Sequence, residues 1–168
     1  MELDERLARQ AAAQYGVLTL PQMLATGLSE TQIRYRVRTG WFRRLSRRVV
    51  AISGSVDSWE QRVCAAALSA SPLGGASHRT AARLWGLRSV DVDVEVAVRY
   101  PRQLKLAGVV VHRSVDLTSS DLTWVEGIPT TTLARTIVDL GLIFPETEVM
   151  RILRHAVGTG AVQASDVA

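Results

Sequence analysis

The sequence has almost no cysteine, almost no lysine and no long apolar run. Its one cysteine, Cys64, can form neither an intramolecular disulfide nor a cysteine-based zinc site. It lies in the apolar run Val63-Cys64-Ala65-Ala66-Ala67-Leu68 and reads as a buried, inert thiol. No stretch approaches the roughly 20 apolar residues of a membrane span. The opening Met1-Glu2-Leu3-Asp4-Glu5-Arg6 is too acidic for a signal peptide. A cytoplasmic protein with no membrane partner is expected.

Catalytic patterns are also missing. Gly74-Gly75 lacks the lysine that follows a phosphate-binding glycine motif, and with Pro72 it reads as a loop. His78, His112 and His155 fall on separate predicted elements without metal-ligand spacing. The acidic stretch Asp91 to Glu95 suggests a nuclease strand, but a restriction-type site would need a lysine where Ala97 stands. Its acids read more simply as the wet face of a half-buried strand. No catalytic residue, metal or cofactor is therefore expected, and the chain is not read as an enzyme.

What is present is a core-forming sequence with unevenly placed charge. The 168 residues are 47% hydrophobic, enough for one ordinary domain or two small ones. Residues 1–52 hold nine arginines against four acids, whereas the remainder holds eleven basic and twelve acidic residues. From Arg34 to Arg48 there are seven arginines and no acid in fifteen residues. One-sided charge of this kind points to a polyanionic partner.

The same stretch has a legible architecture. Leu3, Leu7, Ala11 and Tyr15 stripe a first helix that Gly16 ends. Thr19-Leu20-Pro21-Gln22 and Ser29-Glu30-Thr31-Gln32 are capping boxes opening two short helices, separated by Gly27 and closed by Gly40. Residues 41–45 and 49–52 read as two strands joined through Ser46-Arg47-Arg48. Three helices and a hairpin predict an N-terminal winged helix-turn-helix over residues 1–54. On its third helix Ile33 and Val37 face inward, and Arg36 sits at the edge of the core. The opposite arc carries Thr31, Tyr35 and Arg38, flanked by Gln32 and Arg34, with Ser29 at the cap. Gln32 suits adenine, arginine suits guanine, and Tyr35 suits phosphate or a thymine methyl. Arg43, Arg44, Arg47 and Arg48 are expected to hold phosphates from the wing.

Residues 55–168 read as a small mixed α/β domain, which makes the whole chain α+β. A helix is predicted over 58–70 and a shorter one over 77–87. Strands follow around Val92 to Val98, Val109 to Arg113, Leu122 to Val125 and Ile128 to Thr130, the last two turning at Glu126-Gly127. A helix capped by Thr131 or Thr132 carries an Arg135–Asp139 pair, and a last helix spans 145–157.

Several stretches in register resemble the AbiEi-type antitoxins of type IV toxin–antitoxin systems. They are Gly27-Leu28-Ser29, the arginine-rich helix and wing, the run from Ala76 to Leu87, Val111-His112-Arg113-Ser114, and the run from Gly127 to Thr136. The resemblance implies an N-terminal winged helix that binds operator or promoter double-stranded DNA, inverted repeats being candidate sites. It also implies a following domain that counters a nucleotidyltransferase toxin, with direct contact left open. Where the family's wing carries glycine, this chain has Arg48. Two rival readings remain: a nucleic-acid-processing protein lacking its nuclease part, and a repressor that senses a small ligand.

Overall fold

The computed structural model describes residues 2–87, 93–158 and 160, and shows an α+β fold. Asp91 and Val92, at the start of the expected acidic strand, lie outside these residues, as does the small-residue tail from residue 161 onward.

The N-terminal part is built from α1 (Glu2–Ala12), β1 (Val17–Thr19), α2 (Leu20–Ala25), α3 (Glu30–Arg38), β2 (Phe42–Arg44) and β3 (Val49–Ile52). Both predicted capping boxes form. The Thr19 and Ser29 hydroxyls accept from the backbone N–H of Gln22 and Gln32, whose side chains accept in return from the cap N–H groups. The strands make an antiparallel sheet in the order β1-β3-β2. β1 was not legible in the sequence, because three residues are too few to show a period.

This sheet is buried on both faces. Leu18, Val50 and Phe42 pack with Leu7, Ala11, Met23 and Ile33 against the helices. Val17 and Val49 point the other way, into a second core dominated by α4 (Trp59–Ala70). α4 is consequently buried almost all round, not along the single stripe that a surface helix would show. Its C-terminal carbonyls are capped by Arg102, whose guanidinium donates to Ser69, Ala70 and Ser71.

On its other side α4 covers a five-stranded mixed sheet. Its strands are β4 (Gly74–Ala76), β5 (Val94–Arg99), β6 (Val109–Ser114), β7 (Leu122–Val125) and β8 (Ile128–Thr131), in the order β6-β5-β4-β8-β7. Here Gly74-Gly75 corrects the sequence reading: it belongs to a buried central strand, not a loop. Glycine is required because a Cβ on residue 74 would collide with the Ala97 and Ala70 carbonyls, and one on residue 75 with the Pro129 carbonyl. The β7–β8 hairpin turns at Glu126-Gly127 as predicted, both with positive φ, 49° and 79°. Its tip meets the N-terminal part, where the Tyr15 hydroxyl donates to the Glu126 carbonyl at 3.1 Å.

The far face of this sheet carries α5 (His78–Leu84), α6 (Leu133–Gly141) and α7 (Glu146–Gly158), which form a third core around Leu87, Leu133, Leu140 and Ile152. β5 is therefore covered on both sides. Val94, Val96 and Val98 face α4. Glu95, expected on a wet face, is instead 1% exposed under α5. Among the described residues no helix is long and apolar enough to cross a membrane.

Candidate nucleic-acid interface

α3 exposes the arc that its periodicity predicts. Thr31, Gln32, Arg34, Tyr35 and Arg38 are exposed, while Ile33 is buried and Val37 half-buried. Tyr35 is 56% exposed although it is aromatic, and the Arg38 guanidinium lies 5.5 Å from its ring centre. Arg34 leans back along the helix to Glu30 and the Thr31 hydroxyl. That exposed pair contributes little to stability and is easily exchanged for another partner. Arg36 does a different job. Its side chain is only 21% exposed, bonds Asp4 of α1 at 2.8 Å and lies 5.8 Å from the Trp41 ring centre. It fixes α3 to α1, in keeping with its place at the edge of the core.

Two residues on this arc are more committed than the sequence suggests. The Gln32 side-chain oxygen accepts from the Ser29 backbone N–H at 2.8 Å. A bidentate grip on adenine needs both the oxygen and the nitrogen of that amide, so it competes with the cap. The Ser29 hydroxyl likewise accepts from the Gln32 N–H but keeps its own proton for donation.

The β2–β3 hairpin divides its arginines between two faces. Arg43 stands opposite Ala51, on the side of the sheet that faces α4, and donates to the Gln61 side-chain oxygen at 2.9 Å. Gln61 in turn donates to the Tyr15 carbonyl and the Ser55 hydroxyl. Arg43 is thus engaged with α4 through one guanidinium nitrogen, although the residue remains exposed. Arg44 donates to the Arg47 carbonyl across the turn. Ser46 is tied to Ser69 of α4 at 2.8 Å, so the hairpin is braced rather than free. Arg47 and Arg48 are exposed, and Arg48 does not take the left-handed conformation that a glycine there would permit. Among the described residues, Arg38, Arg44, Arg47 and Arg48 make no ion pair.

A second polar group lies far from this surface in chain position, on the α5 side of the larger sheet. His78, at the start of α5, stacks on His112 of β6 with ring centres 3.6 Å apart. His112 Nε2 lies 2.7 Å from Glu95 Oε2, and Arg79 donates to the other oxygen of Glu95. The sequence reading kept these histidines apart because it could not see that parallel pairing of β5 and β6 sets Ala97 opposite His112. Alternation then puts Glu95 and His112 on one face. His78 is buried and has a φ of 50°, a conformation that costs a residue with a side chain about 1 kcal/mol or more. Burial, and then the neighbouring His112, push its pKa down to about 4, so its imidazole is neutral at pH 7. Burial pushes the Glu95 carboxyl up, but hydrogen bonds from His112 and Arg79 more than reverse this, and the group stays ionised. Asp139 of α6 accepts from Arg135 Nε at 2.9 Å through one oxygen, while its other oxygen is buried without a partner. Burial raises its pKa despite Arg135.

The fold is similar to that of the RV2827C protein from Mycobacterium tuberculosis. The likeness has a TM-score of 0.53 at 15% identity and spans 99% of this chain and 70% of that one. At that identity it concerns the fold alone. No family model matches the chain, and no curated protein matches it.

Proposed function

We propose that the chain is a cytoplasmic DNA-binding repressor that grips duplex DNA with α3 and the β2–β3 hairpin. The observation that carries this reading is a set of exposed arginines on two neighbouring elements. The arc of Thr31, Gln32, Arg34, Tyr35 and Arg38 and the hairpin residues Arg44, Arg47 and Arg48 come from elements adjacent in the chain, and four of these arginines lack an acidic partner among the described residues. The order helix–strand–helix–helix–strand–strand, with sheet order β1-β3-β2, suits a winged helix. In that arrangement α3 enters the major groove, where arginine and tyrosine reach base edges, and the hairpin arginines hold flanking phosphates. The stretches that resemble AbiEi-type antitoxins extend the proposal to a type IV toxin–antitoxin system. The repressor would then act on its own operon, and the part after residue 54 would counter a nucleotidyltransferase toxin.

The test of DNA binding is fluorescence anisotropy of the full chain with the DNA upstream of its own gene, repeated across a salt series. Tight binding that falls steeply with salt is expected. Failure to bind both this DNA and random duplex would overturn the reading. The antitoxin part is tested by co-expression with an adjacent nucleotidyltransferase gene, where rescued growth is expected and unrelieved inhibition refutes it.

One observation favours a variation on this reading, a repressor that senses a ligand. A cleft of about 600 Å³ runs between the two sheets, lined by Thr19, Gln22, Arg48, Leu68, Trp124 and Pro129 among others. Because Arg48 belongs to the hairpin, an occupant there could reposition it. A small-molecule thermal-shift screen, followed by DNA binding with each hit, tests this variation.

A further inference from the structure

We propose that His78, Glu95 and His112 form a binding site for one divalent transition metal ion, with zinc the natural occupant and Asp139 the carboxylate that orients His78. The inference stands apart from the DNA-binding proposal, because it rests on the opposite side of α4 and on different residues.

The first argument is convergence. One ligand atom from each of the three side chains falls within 4.8 Å of the others, although they come from the start of α5, from β5 and from β6. Two imidazoles and one carboxylate form a donor set that zinc takes at about 2.0–2.2 Å per bond. Nitrogen donors argue against magnesium and calcium, which prefer oxygen. Three protein donors also leave a coordination position open for water or another ligand.

The second argument comes from Asp139. His78 turns its Nδ1 toward the Ser77 hydroxyl at 3.0 Å and toward Asp139 Oδ2 at 3.9 Å. Its Nε2 is then the nitrogen available to an ion. That same Asp139 oxygen is the buried one without a hydrogen-bond partner, in a side chain 2% exposed. A metal on Nε2 fixes the imidazole proton on Nδ1, which faces the Ser77 hydroxyl at 3.0 Å, and a shift of the ring toward Asp139 Oδ2, now 3.9 Å away, would supply that oxygen with a donor. Carboxylate, histidine and metal in line is the usual way a protein orients such a ligand.

The third argument is access. Arg79 occupies one Glu95 oxygen and leaves Oε2 toward His112. There the ion would replace the proton now shared by His112 Nε2 and Glu95 Oε2. Tetrahedral coordination requires those two atoms to part from 2.7 Å to about 3.3 Å, and the stacked rings to splay. His112 can move in this way, because it is 29% exposed and β6 is an edge strand, which also gives the ion a route in from solvent.

The experiment uses the full chain, stripped with a chelator and titrated with zinc chloride by calorimetry, with cobalt(II) as an optical probe of the same site. One ion per chain, bound with micromolar or tighter affinity, is expected, together with a cobalt ligand-field spectrum of mixed nitrogen and oxygen donors. His112→Ala and His78→Asn should abolish stoichiometric uptake while retaining the native circular dichroism spectrum; asparagine tolerates the backbone angle at residue 78. Asp139→Asn should weaken binding by roughly tenfold to a hundredfold. His155→Ala, on α7, should leave it unchanged. Absence of stoichiometric uptake by the unaltered chain overturns the proposal, without reference to any variant. So does uptake that survives His112→Ala, and either result would leave the cluster as a hydrogen-bonded clamp of α5 onto the sheet.

Discussion

The two charged regions of this protein spend their arginines in opposite ways. On α3 and the hairpin, Arg38, Arg44, Arg47 and Arg48 are exposed and, among the described residues, have no acidic partner. On the α5 side of the larger sheet, Arg135 is only 10% exposed and is shared among Asp139, Asp116 and Asp121, while Arg79 is held by Glu95. Charge left unpaired at a surface costs the fold little and is free to meet a polyanion. Charge taken out of water must be matched almost completely, and it serves the fold or a small ion in place of a large partner. Arg43 and Arg36 lie between these limits. Both belong to the arginine-rich stretch, yet Gln61 holds one and Asp4 the other.

The sharpest test of this contrast is to break the buried side. Glu95→Ala removes the acceptor of both Arg79 and His112, and should destabilise the fold by about 3 kcal/mol, the lower end for a broken buried pair because both partners are partly exposed. Urea unfolding followed by circular dichroism measures this. A change below about 1 kcal/mol would mean that the cluster is no more than a surface pair. At the other pole, Arg44, Arg47 and Arg48 replaced together by alanine should leave the unfolding midpoint in place. DNA affinity should fall for every sequence, and the slope of log affinity against log salt should flatten by roughly 3. An unchanged slope removes the hairpin from the interface.

Smaller effects separate reading from gripping. Tyr35→Ala and Arg38→Ala should each cost about 1–3 kcal/mol on the cognate site and much less on random duplex, measured by competition anisotropy. Equal losses on both would place a different face of α3 in the groove. The smallest effect on DNA is expected from Arg43→Ala, whose guanidinium is occupied by α4. Its salt slope should match that of the unaltered chain, whereas stability should drop by about 1 kcal/mol for the lost hydrogen bond to Gln61. If Arg43→Ala instead flattens the slope as each of the outer arginines does, the division between the two faces of the hairpin is wrong.

Much of the N-terminal part was legible because its signals are local. Capping boxes at Thr19 and Ser29, the turn glycines Gly27 and Gly40, and the inward pair Ile33 and Val37 act within one turn of helix, so their spacing survives in the linear sequence. The Arg135–Asp139 pair and the Glu126-Gly127 turn were readable for the same reason. Local signals were less able to say which side of an element would be covered. Arg43 and Arg44 are neighbours with the same side chain, and only the packing of α4 onto one face of the small sheet sends Arg43 to Gln61.

By itself, then, the sequence determined where the capped helices α2 and α3 begin and end, which face of α3 is polar, and that positive charge concentrates before residue 52. Each of these depends on residues a few positions apart, bound by hydrogen-bond geometry or helical period. The tertiary structure alone decided the burial of Glu95, the central place of Gly74 and Gly75, and the meeting of His78 with His112. Sheet order and parallel register bring together residues as far apart as Ala76 and Thr130, and no local period records that pairing. An alternating acid reads as a wet strand face in one dimension, and becomes a buried ion-pair partner once a helix is laid across it.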